Sequence, residues 1–193
     1  MIRACFVSLI LLVFHSGFAQ KKSFDIVLLG NVIGETNVVK TDDGAGKCNY
    51  RLKSVSRAKV LFTQRSSDME FDATYLSGKL YTSLCRVVTN GALAITEIVK
   101  DAQGYLIKKE AEILHVTQPI TFSSMELYFS EPVNQKSVFS ERMGVFSMFA
   151  KTAPGEYTNK TNDVTNIYRY RDGALYEVEM RKPLGSVYLR AKK

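Results

Sequence analysis

Period-two alternation governs the stretch from Lys47 to Phe62. Even positions carry Cys48, Tyr50, Leu52, Ser54, Ser56, Ala58, Val60 and Phe62; odd positions carry Lys47, Asn49, Arg51, Lys53, Val55, Arg57, Lys59 and Leu61. Successive side chains of a strand point to opposite faces, so the pattern gives one small or apolar face and one basic face. A strand about three times the usual five or six residues has to curve, and a long curved strand wraps a barrel or half-barrel.

The residues that follow extend the pattern. Met69, Phe71, Ala73 and Tyr75 share one face; Asp68, Glu70, Asp72 and Thr74 share the other. With a turn at Gln64–Ser67, the acidic row opposes the basic row and Lys59 lies near Asp72. The charge run is then the solvated face of a hairpin, with no call for nucleic acid. Turn signals recur at Ser77-Gly78, Asn90-Gly91, Asp101-Ala102-Gln103-Gly104, Pro154-Gly155, Asp172-Gly173 and Pro183-Leu184-Gly185. Between them the spacing predicts strands at Leu80–Thr89, Leu93–Lys100, Tyr105–Val116, Val145–Lys151, Thr165–Arg171, Leu175–Arg181 and Ser186–Ala191. Gly44-Ala45-Gly46-Lys47 reads as a hairpin loop, since it precedes a strand rather than a helix. At the tail, Tyr168 and Tyr170 face Tyr176 and Val178 with Arg169 opposite Glu177, which requires a three-residue loop. Ser123 to Glu126 breaks the strand pattern with a capping box, Ser-x-x-Glu, before Leu127-Tyr128-Phe129 and Pro132. The expectation is a mainly β chain: a single antiparallel curved sheet or half-barrel with one short helix crossing it.

Residues 1–19 read as an export signal, leaving one β-rich domain over 20–193. Arg3 supplies a positive start, Cys5 to Phe14 an apolar run, and Gly17-Phe18-Ala19 a small-x-small cleavage site. The run is short of the about 20 residues that a membrane-spanning helix needs, and no later stretch is apolar enough to span a bilayer. The mature product is expected to be periplasmic or secreted. Of 3 Cys and 2 His in the chain, Cys48, Cys85 and His115 remain. In an oxidising compartment Cys48 and Cys85 either form a disulfide or are small buried hydrophobes.

This leaves few chemical groups from which to build a site. A lone His115 in a strand-like context offers no nucleophile–base pair, three Cys or His ligands fall short of a structural zinc set, and no cofactor-binding or phosphate-cradling loop is present. Glu131 and Glu141 lie in an irregular stretch, where functional side chains concentrate. Asn159-Lys160-Thr161 matches a glycosylation sequon. Arg181, Lys182, Arg190, Lys192 and Lys193 form a basic tail suited to solubility or to an anionic membrane surface.

The order of the export signal, Phe24-Asp25-Ile26, Tyr50-Arg51-Leu52-Lys53-Ser54, Glu126-Leu127-Tyr128-Phe129-Ser130-Glu131-Pro132, Phe139-Ser140-Glu141-Arg142-Met143-Gly144 and Tyr168-Arg169-Tyr170-Arg171-Asp172-Gly173 resembles an exported bacterial protein family of unknown function. The chain is also similar, in architecture alone, to periplasmic half-barrels that hold a lipid or a lipoprotein acyl chain. The resemblance implies no catalytic residues.

The leading expectation is a non-enzymatic envelope protein that binds an apolar ligand or an envelope partner, a lipid or a protein. Its inner face would carry Tyr50, Phe62, Phe71, Tyr75, Tyr168, Tyr170 and Tyr176, for which plain core packing is the simpler reading. A competing expectation is a hydrolase of polysaccharide or peptide with Glu131 and Glu141 roughly 5–9 Å apart in an open groove. A third is a purely structural interaction domain with an exposed apolar patch or sheet edge. The state of the concave face, whether filled, empty and apolar, or acidic, separates them.

Overall fold

A computed structural model of the chain describes residues 17–60, 62–161, 164–183 and 185–192. Two antiparallel meanders build one sheet. The first runs through β1 (Phe18–Leu28), β2 (Asn31–Asp42), β3 (Lys47–Val60), β4 (Thr63–Leu76), β5 (Lys79–Thr89), β6 (Ala92–Lys100), β7 (Tyr105–Lys109) and β8 (Glu112–Val116). The second runs through β9 (Ser137–Ser140), β10 (Val145–Ala153), β11 (Glu156–Thr161), β12 (Val164–Arg171), β13 (Ala174–Lys182) and β14 (Gly185–Ala191). β14 pairs with β1, so the spatial order is β8 through β1 and then β14 through β9, with β8 and β9 as the edges. Residues 1–16 of the expected export signal lie outside the described residues. Phe18 and Ala19 begin β1 opposite Asp42 and Thr41, while the pairing of β1 with β14 starts only at Phe24.

The sheet is not closed into a barrel by hydrogen bonds; the seam is packed instead. Thr96 Oγ1 on β6 donates to the Arg142 carbonyl at 2.9 Å. Gly144 (φ 70°) sits so close to Ile107 of β7 that a Cβ there would lie 2.8 Å from its Cγ2. The turn from β9 to β10 therefore tucks against β6 and β7.

Residues 117–136, between the two edge strands, cross the interior and plug it. The capping box is half realised: Ser123 N–H donates to Glu126 Oε2 at 3.0 Å, but only a single 3₁₀ turn follows, Glu126–Tyr128. Ile120 and Met125 pack with Leu52, Phe71 and Tyr75. Leu127 packs with Phe24, Phe149 and Tyr157 on the other side. Tyr128 touches both clusters, and burial pushes its phenol up to about 12.

The long alternating strand forms as expected, with Tyr50 and Leu52 buried and Arg51, Lys53, Val55 and Arg57 exposed. Its hairpin is tighter than expected. Val60 pairs with Thr63, which sets Lys59 opposite Gln64 and Arg51 opposite Asp72. The acidic and basic rows do meet, in Arg51–Asp72, Lys53–Glu70 and Arg57–Asp68, and such exposed pairs fix register more than they stabilise. At the tail, Tyr168 pairs with Val178 and Arg169 with Glu177, but Tyr170 pairs with Leu175. A two-residue Asp172-Gly173 turn plus a bulge at Arg169/Tyr170 supplies the odd residue that a three-residue loop was expected to supply. The expected strand Tyr105–Val116 is two strands, broken at Glu110, which holds φ 51°.

Candidate functional site

At one end of the half-barrel, where β1 turns into β2, β3 into β4, β5 into β6 and β13 into β14, the plug stops short and a concavity of about 520 Å³ remains. That volume falls within the roughly 300–1,000 Å³ of small-molecule sites. Its walls are Ile26 and Leu28 of β1, Ile33 of β2, Met180 of β13 and Val187 and Leu189 of β14, and Tyr128 contributes from the plug. Alternation along strands that pair directly, Ile26 with Leu189 and Leu28 with Val187, brings these side chains to one face. On the other wall lie Ser54 and Ser56 of β3, Ser67 and Met69 of β4, and Thr36 of β2. The Thr36 and Ser54 hydroxyls bond each other at 2.8 Å, which satisfies a buried and a half-buried polar group with no charge.

Three cations edge this mouth: Arg65, Arg142 and Lys182, all exposed. No carboxylate lines it. Among the described residues none of the three is in an ion pair, whereas Arg51, Arg57, Arg169, Arg181 and Arg190 each hold a carboxylate. The basic tail divides accordingly. Arg181 binds Glu179, Arg190 binds Glu177, and Lys192 binds Asp25 and Glu35, while Lys182 turns to the mouth.

A buried polar cluster anchors the plug to the walls. Tyr75 Oη donates to Ser123 Oγ at 2.5 Å, and Ser124 Oγ donates to Glu141 Oε2 at 2.5 Å. Glu141 is fully buried, and its Oε1 has no partner among the described residues. Burial pushes the Glu141 carboxyl up; it also raises Glu126, to about 7, with the neighbouring Glu141 adding to the rise.

The expected ligand-facing aromatics do not line the mouth. Tyr50, Phe71, Tyr75 and Tyr170 are buried core, and Tyr168 packs half-buried beside them. The plug covers the face they present, so their expected role as ligand contacts gives way to packing. Phe62 is 97% exposed, because the tighter hairpin puts it in the turn. Tyr176 is 38% exposed on the outer face, where the Arg171 guanidinium lies 5.0 Å from its ring centre. Cys48 and Cys85 are free thiols, not a disulfide. Cys48 pairs with Tyr75 and Cys85 with Phe71, four residues apart on β4. That spacing alone separates them by about 13 Å along the strand, and a disulfide needs Cα atoms within about 7 Å. Burial raises both thiols, Cys85 to about 11.

Glu131 and Glu141 have separate partners, Glu131 accepting from Tyr157 Oη at 2.7 Å, and neither lines the mouth. His115 is exposed on the edge strand β8. Asn159 of the sequon is buried and donates to Ser147 Oγ at 3.1 Å. Among the described residues no three His, Cys, Asp or Glu side chains converge as a metal set, and no helix is long and apolar enough to cross a membrane.

The mouth drew no signal in the sequence because its lining is gathered a few residues at a time from β1–β5, the plug, the β9–β10 turn and β13–β14. β1, β2, β9 and β11 were not anticipated.

A crystal structure of a β-barrel-like protein of domain of unknown function DUF1849 from Brucella abortus superposes with a TM-score of 0.60 at 10% identity, covering 90% of this chain and 95% of that one. That likeness is one of fold. No curated protein matches the chain. Residues 24–192, from the first β1 residue paired with β14 to the end of the sheet, match a family described as domain of unknown function DUF6134, and the chain belongs to that family.

Proposed function

We propose that the chain is exported and acts as a non-enzymatic binding module that holds an apolar ligand in the mouth of the half-barrel. The observation that carries this reading is the mouth itself: about 520 Å³ walled by aliphatic side chains and hydroxyls, without a carboxylate. Hydrolysis by paired carboxylates would need acids converging on an open groove, and Glu131 and Glu141 are bound elsewhere. Burying aliphatic ligand surface here gains about 25 cal/mol per Å², enough to hold a hydrocarbon chain without specific chemistry.

The test is titration with the neutral probe N-phenyl-1-naphthylamine, whose fluorescence rises in apolar surroundings. Saturable binding at one site is expected, weakened at least about tenfold by Ile33→Glu, which sets a charge on the half-buried wall. Absence of saturable binding, or an unchanged affinity in Ile33→Glu, overturns the reading. A second reading, a structural interaction domain, draws on β8, an edge strand exposing Ile113 and Leu114. It requires self-association or partner capture abolished by Ile113→Lys with probe binding intact.

A further inference from the structure

We propose that the mouth end of the half-barrel docks on an anionic lipid bilayer, with the hairpin tips that carry Leu29 and Phe62 entering the headgroup layer. Resting on the reading of the mouth as an apolar site, this names the surface from which its ligand is taken up.

The tips are the first observation. Phe62 is 97% exposed and Leu29 81%, with Val32 beside the same turn at 63%. Both turns stand at the mouth: Leu28 and Ile33 flank the first and line the concavity, as do Ala58 and Arg65 on either side of the second. They also stand level. In the β2–β3 pairing the partner numbers sum to 90, from Gly34 with Ser56 to Asp42 with Cys48. Projected along the strands past the bulge at Ile26/Val27, that register brings Leu29 to within about two residues of the turn that carries Phe62. Two strand spacings, about 10 Å, separate the hairpins.

The choice of residue at Leu29 sharpens the point. Among the described residues five non-glycine residues hold positive φ: Leu29, Ser77, Asn90, Glu110 and Asp172. Four are polar, as expected of exposed turn positions in the left-handed region. Leu29 is the exception: at φ 49° it is neither an easy turn residue nor buried. At 81% exposed, its side chain has little to pack against within the folded chain and is free to meet a surface outside it. Other exposed apolar side chains, Ile113 and Met148 among them, sit within strands; Val133, 60% exposed, is also in a turn, but it does not line the mouth.

Charge is the second, independent observation. Arg65, Arg142 and Lys182 edge the same end without an ion pair among the described residues, and no carboxylate faces them in the mouth. Asp68 and Glu35, acids of the neighbouring strands, are held by Arg57 and Lys192. Exposed apolar tips ringed by unneutralised cations match an interface of acyl chains beneath phosphate headgroups. Each cation near such a surface strengthens binding roughly fivefold, so three together supply on the order of a hundredfold.

The experiment is sedimentation of the processed chain, as recovered after export, with phosphatidylglycerol–phosphatidylcholine vesicles and with pure phosphatidylcholine vesicles. Binding is expected to be at least about tenfold stronger on the anionic vesicles and to weaken as salt screens the cations. Leu29→Asn with Phe62→Ser is expected to cut it at least about tenfold while leaving N-phenyl-1-naphthylamine binding and the thermal midpoint unchanged, since neither side chain lines the mouth or the core. Arg65→Gln, Arg142→Gln and Lys182→Gln combined are expected to abolish the preference for anionic vesicles. Equal binding to both vesicles, or a tip variant that sediments like the parent, overturns the docking face. Probe binding separates the two readings: if vesicles bind and the probe does not, docking stands and the apolar site falls; if the probe binds and vesicles do not, the reverse holds.

Discussion

Tyr75 on β4 reaches across the interior to donate its hydroxyl to Ser123 of the plug, 2.5 Å away and 48 residues distant in sequence. Ser123 is fully buried and also accepts the Met125 N–H at 3.3 Å. Tyr75→Phe keeps the ring and deletes one bond, leaving a buried hydroxyl short of a partner. The expected cost is about 1–2 kcal/mol, read as a thermal midpoint lower by roughly 2–8 °C for a chain of this size. An unchanged midpoint would show that the plug is not tied to the wall through this pair.

How much of this was written in the sequence follows from which residues face in. β3 was legible because its buried side alternates Tyr50 and Leu52 against charged neighbours. β2 was not, because its inward positions include Gly34 and Thr36. Gly34 is required by close approach, a Cβ there falling 2.0 Å from the Val55 carbonyl oxygen, and Thr36 is acceptable only because Ser54 answers it. The β3–β4 turn was placed too late since polar Gln64–Ser67 resembles a turn and apolar Phe62 does not. That misreading falls on one of the two tips assigned to the bilayer. The aromatics were expected at a ligand surface because alternation tells which face is inward but not that residues 117–136 return to fill it.

Leu127 measures how much the plug contributes. It is fully buried in the 3₁₀ turn among Phe24, Phe149 and Tyr157. Leu127→Ala leaves a cavity that β-sheet walls close only partly, at an expected cost of about 2–5 kcal/mol. Equilibrium urea unfolding checks it: the midpoint should fall with the slope unchanged. A cost below about 1 kcal/mol would mean the plug packs loosely and the mouth extends deeper.

Arg169 of β12 sits among three carboxylates, at 3.0 Å from Glu156, 2.7 Å from Glu177 and 3.0 Å from Glu179. Glu179 is buried and is held down to about 2, chiefly by its bond to Arg181 and next by Arg169. A lowered carboxylate contributes stability above its unfolded value and loses it as pH falls toward the folded one. Arg169→Met strips the fork from all three acids at once, at an expected cost of about 2 kcal/mol at neutral pH, moderated by the water that reaches this face. The deficit should shrink as pH falls from about 5 toward about 2, where Glu156 and Glu179 protonate in both forms. A deficit that does not change with pH would assign Arg169 a packing role only.

Glu126 bends stability the other way. Burial raises its carboxyl to about 7, and Glu141 nearby reinforces the rise. Between the ordinary carboxylate range and about 7, the folded chain keeps a proton that the unfolded chain has released. The contribution is therefore fully present at low pH and is lost as pH rises, at about 1.4 kcal/mol per unit. Over the interval this amounts to roughly 2–3 kcal/mol after allowance for partial exposure. Glu126→Gln keeps an acceptor for the Ser123 N–H, now 3.0 Å from Oε2, and removes the titration. The variant should match the parent near about pH 5 and exceed it progressively toward about pH 8. Denaturant midpoints taken across that range decide the matter. Parallel curves for the two proteins would mean that Glu126 titrates in water and that the plug is not pH-sensitive through this side chain.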